Sequence, residues 1–287
     1  MVRCWRGEEA CDGWISAARV EKSSLWRDGM AVIGGRAHNL ELVHEVAKLG
    51  YPFAEISIYD ADEMHRLADD FLALKEKYGI YYLAHYPNEG NPFDAKALEE
   101  NFVPKIKKLI DVTHELGIEK GTIHFWMDKR WAEPTLLSAK MGLLSEMVAA
   151  ASDKGVTLCI ENLTEQYESF AAACDVIPDL RMTLDIGHAE LLSSENTSFN
   201  FIRHLFDKIE HLHVHDNHGL ESGDQHLPPG WGTVDWAEVL AALAGIRYAG
   251  PFLMEVIRES KQLSSVSPRD TVAHCAKAAR QLLDEPE

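Results

Sequence analysis

The sequence predicts an α/β protein, a closed parallel (β/α)8 TIM barrel built as a single domain. Two observations lead there. Its 287 residues suit one such barrel, which commonly takes about 250. From residue 31 onward, short apolar runs alternate with stretches of helical period, eight of each, which favours a closed barrel over an open doubly wound sheet. No G-x-G-x-x-G or Walker-type phosphate loop competes with this reading.

Taken in order, Ala31 to Arg36 reads as the first strand and contains the pair Gly34-Gly35. Asn39 caps a helix whose Leu40, Val43, Val46 and Ala47 share one face, and Gly50 ends it. Phe53 to Tyr59 is the second strand. Asp60, followed three residues later by Glu63, has the pattern of a capping box for a helix reaching about Tyr78. Further strands are expected near 80–86, 120–126, 156–161, 181–185, 209–215 and 251–256. Helices fit at 94–116, 134–154, 166–175, 198–207, 235–245 and 267–284. In the helix at 134–154, Leu137, Met141, Leu144, Val148 and Ala151 recur at helical spacing.

Residues 1–30 stand outside the alternation as an N-terminal extension. They carry Cys4, Trp5, Cys11, Trp14 and Trp26 without a period, and Met30 directly before the first strand is a candidate native start. The catalytic barrel is expected over 31–287.

With 46% hydrophobic residues the chain has ample material for a core. Its 28 basic and 46 acidic residues give a net charge of −18, which disfavours nucleic acid, since Lys and Arg supply much of that affinity. A local metal cluster can nevertheless draw phosphate to an acidic protein. The five cysteines are odd in number and form no C-x-x-C, so a reducing, cytoplasmic setting is expected. No apolar run approaches the roughly 18 residues that span a membrane. Composition does not decide between a monomer and a homo-oligomer.

The strand ends carry the functional signal. His85, His124, Glu161, Asp185, His213 and Glu255 each terminate an apolar strand. Singly, such residues are ordinary helix caps or satisfied loop groups. In a parallel barrel, however, all strand C-termini face one mouth. Several imidazoles and carboxylates gathered there without a cation would repel one another and be costly to desolvate. A divalent metal (Zn, Mn, Fe, Co or Mg) resolves both problems.

These residues lie within motifs: E-N near the fifth strand, L-D-I-G-H near the sixth, H-x-H-x-x-D-N, then D-x-H-L-P-x-G-x-G-x-x-x-W, and a final M-E. Together they resemble the xylose-isomerase-like TIM barrel superfamily over residues 31 to 285. That superfamily contains sugar isomerases, sugar phosphate isomerases and epimerases, ketose 3-epimerases, inosose dehydratase-like proteins and the endonuclease IV type of DNA-repair enzyme. Resemblance to the epimerases implies one metal held by Glu161, Asp185, His213 and Glu255, with the two glutamates as the acid/base pair and His188 contacting substrate. One departure stands out. The ketose 3-epimerases carry an Arg shortly after the metal-binding His, where this chain has His218-Gly219. Resemblance to the repair enzymes implies three zinc ions on nine ligands: His85, His124, Glu161, Asp185, His188, His213, Asp224, His226 and Glu255. The flanking residues differ, because Ile123-His124-Phe125-Trp126 lacks a loop Pro-Gly, and Glu165 and Glu168 add acidic groups where DNA would approach.

The expected chemistry is a metal-dependent isomerisation or epimerisation of a small sugar or polyol-derived substrate. A metal-stabilised enediolate would form as Glu161 or Glu255 moves the proton. The alternatives are a trinuclear zinc phosphodiesterase acting on abasic DNA and a non-catalytic barrel that binds a metabolite. Trp126 and Trp231 are expected at the rim, where they pack or cover a sugar ring. His211 and His215 share a strand face with His213. Of these, His211 is expected deeper in the barrel and His215 beside the ligands. Asp224 and His226 form a loop pair able to bind a metal from both sides.

Overall fold

The computed structural model describes residues 32–219 and 223–256. Within them eight parallel strands close into a barrel in chain order, the last pairing with the first. They are β1 (Val32–Ala37), β2 (Phe53–Ser57), β3 (Tyr81–His85), β4 (Lys120–His124), β5 (Thr157–Glu161), β6 (Arg181–Asp185), β7 (Ile209–Val214) and β8 (Pro251–Met254). The main helices between them are α1 (Leu40–Lys48), α2 (Ala61–Tyr78), α3 (Val103–Glu115), α4 (Pro134–Asp153), α5 (Tyr167–Val176), α6 (Ser198–Leu205) and α7 (Trp236–Gly245). The N-terminal extension 1–30, the strand start at Ala31 and the expected helix 267–284 lie outside the described residues.

Local chemistry places the helix starts. The side chains of Asn39, Asp60 and Asp235 accept from the backbone N–H of Leu42, Glu63 and Glu238, supplying partners to first-turn amides that no helical carbonyl reaches. The segment expected as one helix at 94–116 is composite. A short turn (Ala95–Ala97) passes through a π-turn (Leu98–Phe102) into α3. Pro104 lies in the first turn of α3, and its missing N–H and bulky ring break the regular ladder behind it. In α4 the expected face packs on the core, with Leu144, Val148 and Ala151 buried and Leu137 and Met141 partly so, and the buried side also takes in Lys140, Leu143 and Met147. Lys140 is tolerated there because its Nζ lies 2.7 Å from Glu89 Oε2 and 3.2 Å from the Pro92 carbonyl.

Side chains two apart on a strand share a face. At the bottom of the barrel interior, Phe53, Leu83 and Leu253 form a small apolar cluster with Val32. Gly34 makes room for it, because a Cβ there would fall 2.3 Å from the Phe53 ring. Two residues further along the same strands stand Glu55, His85 and Glu255, all buried. The interior thus changes from apolar to ionisable within one layer. The larger core lies outside the barrel wall, where residues such as Val46, Ile56, Ile106, Leu144, Phe170 and Phe201 join strands to helices. Among the described residues no helix is long and apolar enough to cross a membrane.

Candidate metal centre

At the C-terminal mouth, donors from four successive strands meet. His213 Nδ1 lies 3.1 Å from Glu161 Oε1, 2.7 Å from Glu255 Oε2 and 3.7 Å from Asp185 Oδ2. One ligand atom from each of these four residues lies within 4.8 Å of the others, and all four are buried. Glu255 Oε2 makes no hydrogen bond despite its closeness to His213. A buried carboxylate oxygen and a ring nitrogen that converge at 2.7 Å outside hydrogen-bond alignment are arranged as two ligands of one cation are. The nitrogen and carboxylate donor set suits Zn, Mn, Fe or Co.

Three further ligand groups adjoin this one, among them Glu55 with His85, His213 and Glu255. His85 Nε2 and His124 Nε2 both face Glu161 Oε2, at 3.3 and 2.7 Å. Glu161 therefore turns one oxygen to each group. On the other side, His188 Nε2 and His226 Nε2 flank Asp224 Oδ2 at 3.2 and 2.9 Å. His188 also places Nδ1 3.2 Å from Glu161 Oε1. The opposite ring nitrogens are anchored: Nδ1 of His85, His188 and His226 donates to the carbonyls of Tyr86, Asn162 and Glu255, at 2.9, 3.0 and 2.9 Å. A carbonyl can only accept, so these bonds fix the proton on Nδ1 and leave the Nε2 lone pair facing the centre, as metal-binding histidines require.

The sequence motifs have structural reasons. Asn162, next to Glu161, donates Nδ2–H to the Asp185 carbonyl at 2.9 Å and accepts from the Asp185 N–H at 2.8 Å. Its amide adds a rung beyond the last β5–β6 pair, Glu161–Thr183. Gly187 in D-I-G-H is forced, since a Cβ there would stand 2.2 Å from the His215 ring. His215 in turn reaches Asp185 Oδ1 at 2.9 Å. Asp216 accepts from the N–H of Gly230 and Val234 and from Trp236 Nε1, and Asn217 Oδ1 accepts from the N–H of Gln225 and His226. These bonds fold the loop after β7 over the mouth and deliver Asp224 and His226. His226 itself has φ +47°, an uncommon conformation for a residue with a side chain.

The electrostatics favour a cation. Burial alone would depress the pKa of His213, yet Glu161, Glu255 and Glu55 outweigh it and hold the imidazole well above its ordinary range. The same balance, set mainly by Asp185 and Asp224, raises His188. Burial would raise the Glu161 and Glu255 carboxyls, but the surrounding histidines hold both well below their ordinary range. At His85, by contrast, burial and Arg36 win and keep the ring neutral.

The structure brings together all nine residues of the larger expected ligand set. It also places His211 deep in the barrel, 2.8 Å from Glu55 Oε2, and His215 against Asp185. Trp126 follows β4 and packs on Phe93 with ring centres 5.2 Å apart, while Trp231 is half exposed in the loop after β7. One expectation is corrected. Glu165 does not face an approaching ligand; it is buried, and its carboxylate accepts from the N–H of Met127 and Leu163. Two residues escaped the sequence reading. Glu55 lies under His213, and Arg36 stands between Glu55 and Glu255 at 3.5 Å from each. The signal for Glu55 was a charge on the same face of β2 as Phe53, and for Arg36 a charge two residues after Gly34 on β1.

Comparison with known proteins agrees with this architecture. The family model for xylose isomerase-like TIM barrels matches residues 43–282. An uncharacterised protein of Methanocaldococcus jannaschii is 26% identical over 202 residues, covering 64% of this chain and 67% of that protein. The D-psicose 3-epimerase of Enterocloster bolteae is 26% identical over 242 residues, 74% of each chain. Among solved structures, the IOLI protein with a bound zinc atom is 15% identical and superposes with a TM-score of 0.73 over 88% of this chain and 97% of that one, a likeness of fold. The chain is therefore a member of the xylose isomerase-like TIM barrel family.

Proposed function

We propose that this protein is a metal-dependent isomerase or epimerase of a small sugar or polyol-derived hydroxycarbonyl compound. The observation that carries the reading is the convergence of Glu161, Asp185, His213 and Glu255 from four strands on one point. A divalent cation held by these four residues would supply Lewis acidity, lowering the pKa of a C–H beside a substrate carbonyl. Glu161 and Glu255 come from β5 and the end of β8, strands that are not neighbours, so they approach a bound substrate from different sides. Each has a second oxygen: Glu161 Oε2 toward His85 and His124, Glu255 Oε1 toward Arg36. One carboxylate takes the proton and the other returns one. His188 stands beside them to contact substrate oxygens, and Trp126 and Trp231 limit water at the rim. Likeness to a D-psicose 3-epimerase supports the sugar class.

A second reading, trinuclear zinc hydrolysis of abasic DNA, has one observation in its favour: the adjoining ligand groups include all nine residues of the expected three-ion set. The net charge of −18 weighs against a DNA partner. The test is incubation of the metal-loaded protein with a panel of ketoses and inososes in deuterated water. Metal-dependent deuterium incorporation beside the carbonyl, lost in Glu161→Gln and Glu255→Gln, is the expected result. Exchange retained in both variants refutes the acid/base assignment, and cleavage of abasic DNA with no sugar turnover favours the second reading.

A further inference from the structure

We propose that Glu55 is a positioning residue that fixes the orientation of His213, so that His213 offers Nδ1 to the cation; this rests on the metal reading of the site given above. Glu55 lies on β2, across the barrel from β7, and is fully buried. Its Oε2 stands 3.2 Å from His213 Nε2 and 2.8 Å from His211 Nε2. Its Oε1 faces Arg36 Nη1 at 3.5 Å, and Arg36 Nη1 also donates to the Glu55 carbonyl at 3.3 Å. Arg36 is held in turn by the Tyr59 hydroxyl, 3.4 Å from Nη2.

His85, His188 and His226 direct Nε2 to the centre and anchor Nδ1 on a carbonyl. His213 is reversed, with Nδ1 among the carboxylates and Nε2 turned down into the barrel. No backbone carbonyl bonds to that nitrogen among the described contacts, so Glu55 takes the anchoring part. A carboxylate behind a ligand imidazole fixes its tautomer and strengthens its basicity. His211 shares Oε2 with His213, and Oε1 is paired in charge with Arg36 but makes no hydrogen bond, so counting the ions bound separates a positioning role from a ligand role shared with His85, His213 and Glu255.

The test is metal titration of chelator-treated wild type, Glu55→Gln and Glu55→Leu with Zn2+ and Mn2+, together with 15N spectra of the histidines in the Zn2+-loaded proteins. Glu55→Gln keeps the shape and one acceptor oxygen, and carries the test if Glu55→Leu does not fold. The expected result is an affinity about 10- to 100-fold weaker in Glu55→Leu and a smaller loss in Glu55→Gln. The number of ions bound at saturation stays unchanged, and the His213 Nε2–H signal, shifted in wild type by its hydrogen bond to Glu55, moves in Glu55→Leu as that acceptor is lost. Lower thermal stability with unchanged affinity means a merely structural role and overturns the proposal. A saturating count lower by one means that Glu55 is a ligand, with His85, His213 and Glu255, and overturns it too. If wild type binds no metal, the reading of the whole site fails; if wild type binds and Glu55→Gln and Glu55→Leu match it, only the role of Glu55 fails.

Discussion

Replacing Asn162 with Leu should damage stability and metal binding together. Leu has the branched outline of Asn but carries no polar atoms, so the substitution removes both hydrogen bonds to Asp185, and its bulkier methyl groups add packing strain at this buried site. The Asp185 N–H and carbonyl lie in a fully buried residue and lose their partners at the end of the β5–β6 ladder. Each buried group left unsatisfied costs about 1–3 kcal/mol, so the pair sums to roughly 2–6 kcal/mol. At about 2–4 °C per kcal/mol for a domain near this size, the melting temperature should fall on the order of 5–20 °C. Asp185 also supplies an oxygen to the candidate cation site, so its release from β5 should weaken metal binding beyond the global loss. The assay is urea and thermal denaturation of chelator-treated protein, followed by Zn2+ titration of the folded variant. Stability within about 0.5 kcal/mol of wild type, with equal Zn2+ affinity, would refute the reasoning, since that is the range of an unimportant surface change.

Three other outcomes follow from the same geometry. The carboxyls of Glu55, Glu161 and Glu255 are held below their ordinary value of 4.5, so their stabilisation is present above that pH and is lost as the pH falls. His188, His213 and His226 are held above 6.5, so theirs is full below that pH and is lost as the pH rises through the raised values. These six groups all stabilise metal-free protein between about pH 4.5 and 6.5, opposed there by His85 and His211, which burial holds below 6.5; added Zn2+ should stabilise more at pH 8 than at pH 6, because ligand histidines must be deprotonated, and a Zn2+ shift in melting temperature that is the same at both contradicts this. Gly187→Ala forces a methyl against His215 and should cost about 1–3 kcal/mol while loosening Asp185, measured by the same melts and titration. Lys140→Met leaves the Glu89 carboxylate buried without its cation and should cost about 3–5 kcal/mol in urea denaturation, with much of the loss recovered in the Lys140→Met/Glu89→Gln double variant.

Much of the barrel was legible because helical and strand periods alternate cleanly and the helix starts carry their own caps at Asn39, Asp60 and Asp235. The ligand residues at the strand ends were legible for a topological reason: a parallel barrel gathers all its strand C-termini at one mouth. Glu55 was not legible. In Phe-Ala-Glu-Ile-Ser both faces of the strand are buried, and a Glu in such a run reads as a solvent position until closure of the barrel turns it inward. Lys140 was hidden for a similar reason, since its partner Glu89 lies in a separate loop and the pairing exists only in three dimensions. The role of Asp216 and Asn217 also needs the fold, because their side chains bond to amides in the loop that follows them.

The central claim is that Glu161, Asp185, His213 and Glu255 hold a divalent cation. Its most direct test is the metal content of chelator-treated protein titrated with Mn2+ or Zn2+ and dialysed to equilibrium, compared with folded Asp185→Ala and His213→Ala variants. The account predicts at least one ion per chain in wild type and greatly weakened binding in both variants. No bound metal in wild type, or binding undiminished when either ligand is removed, would contradict it.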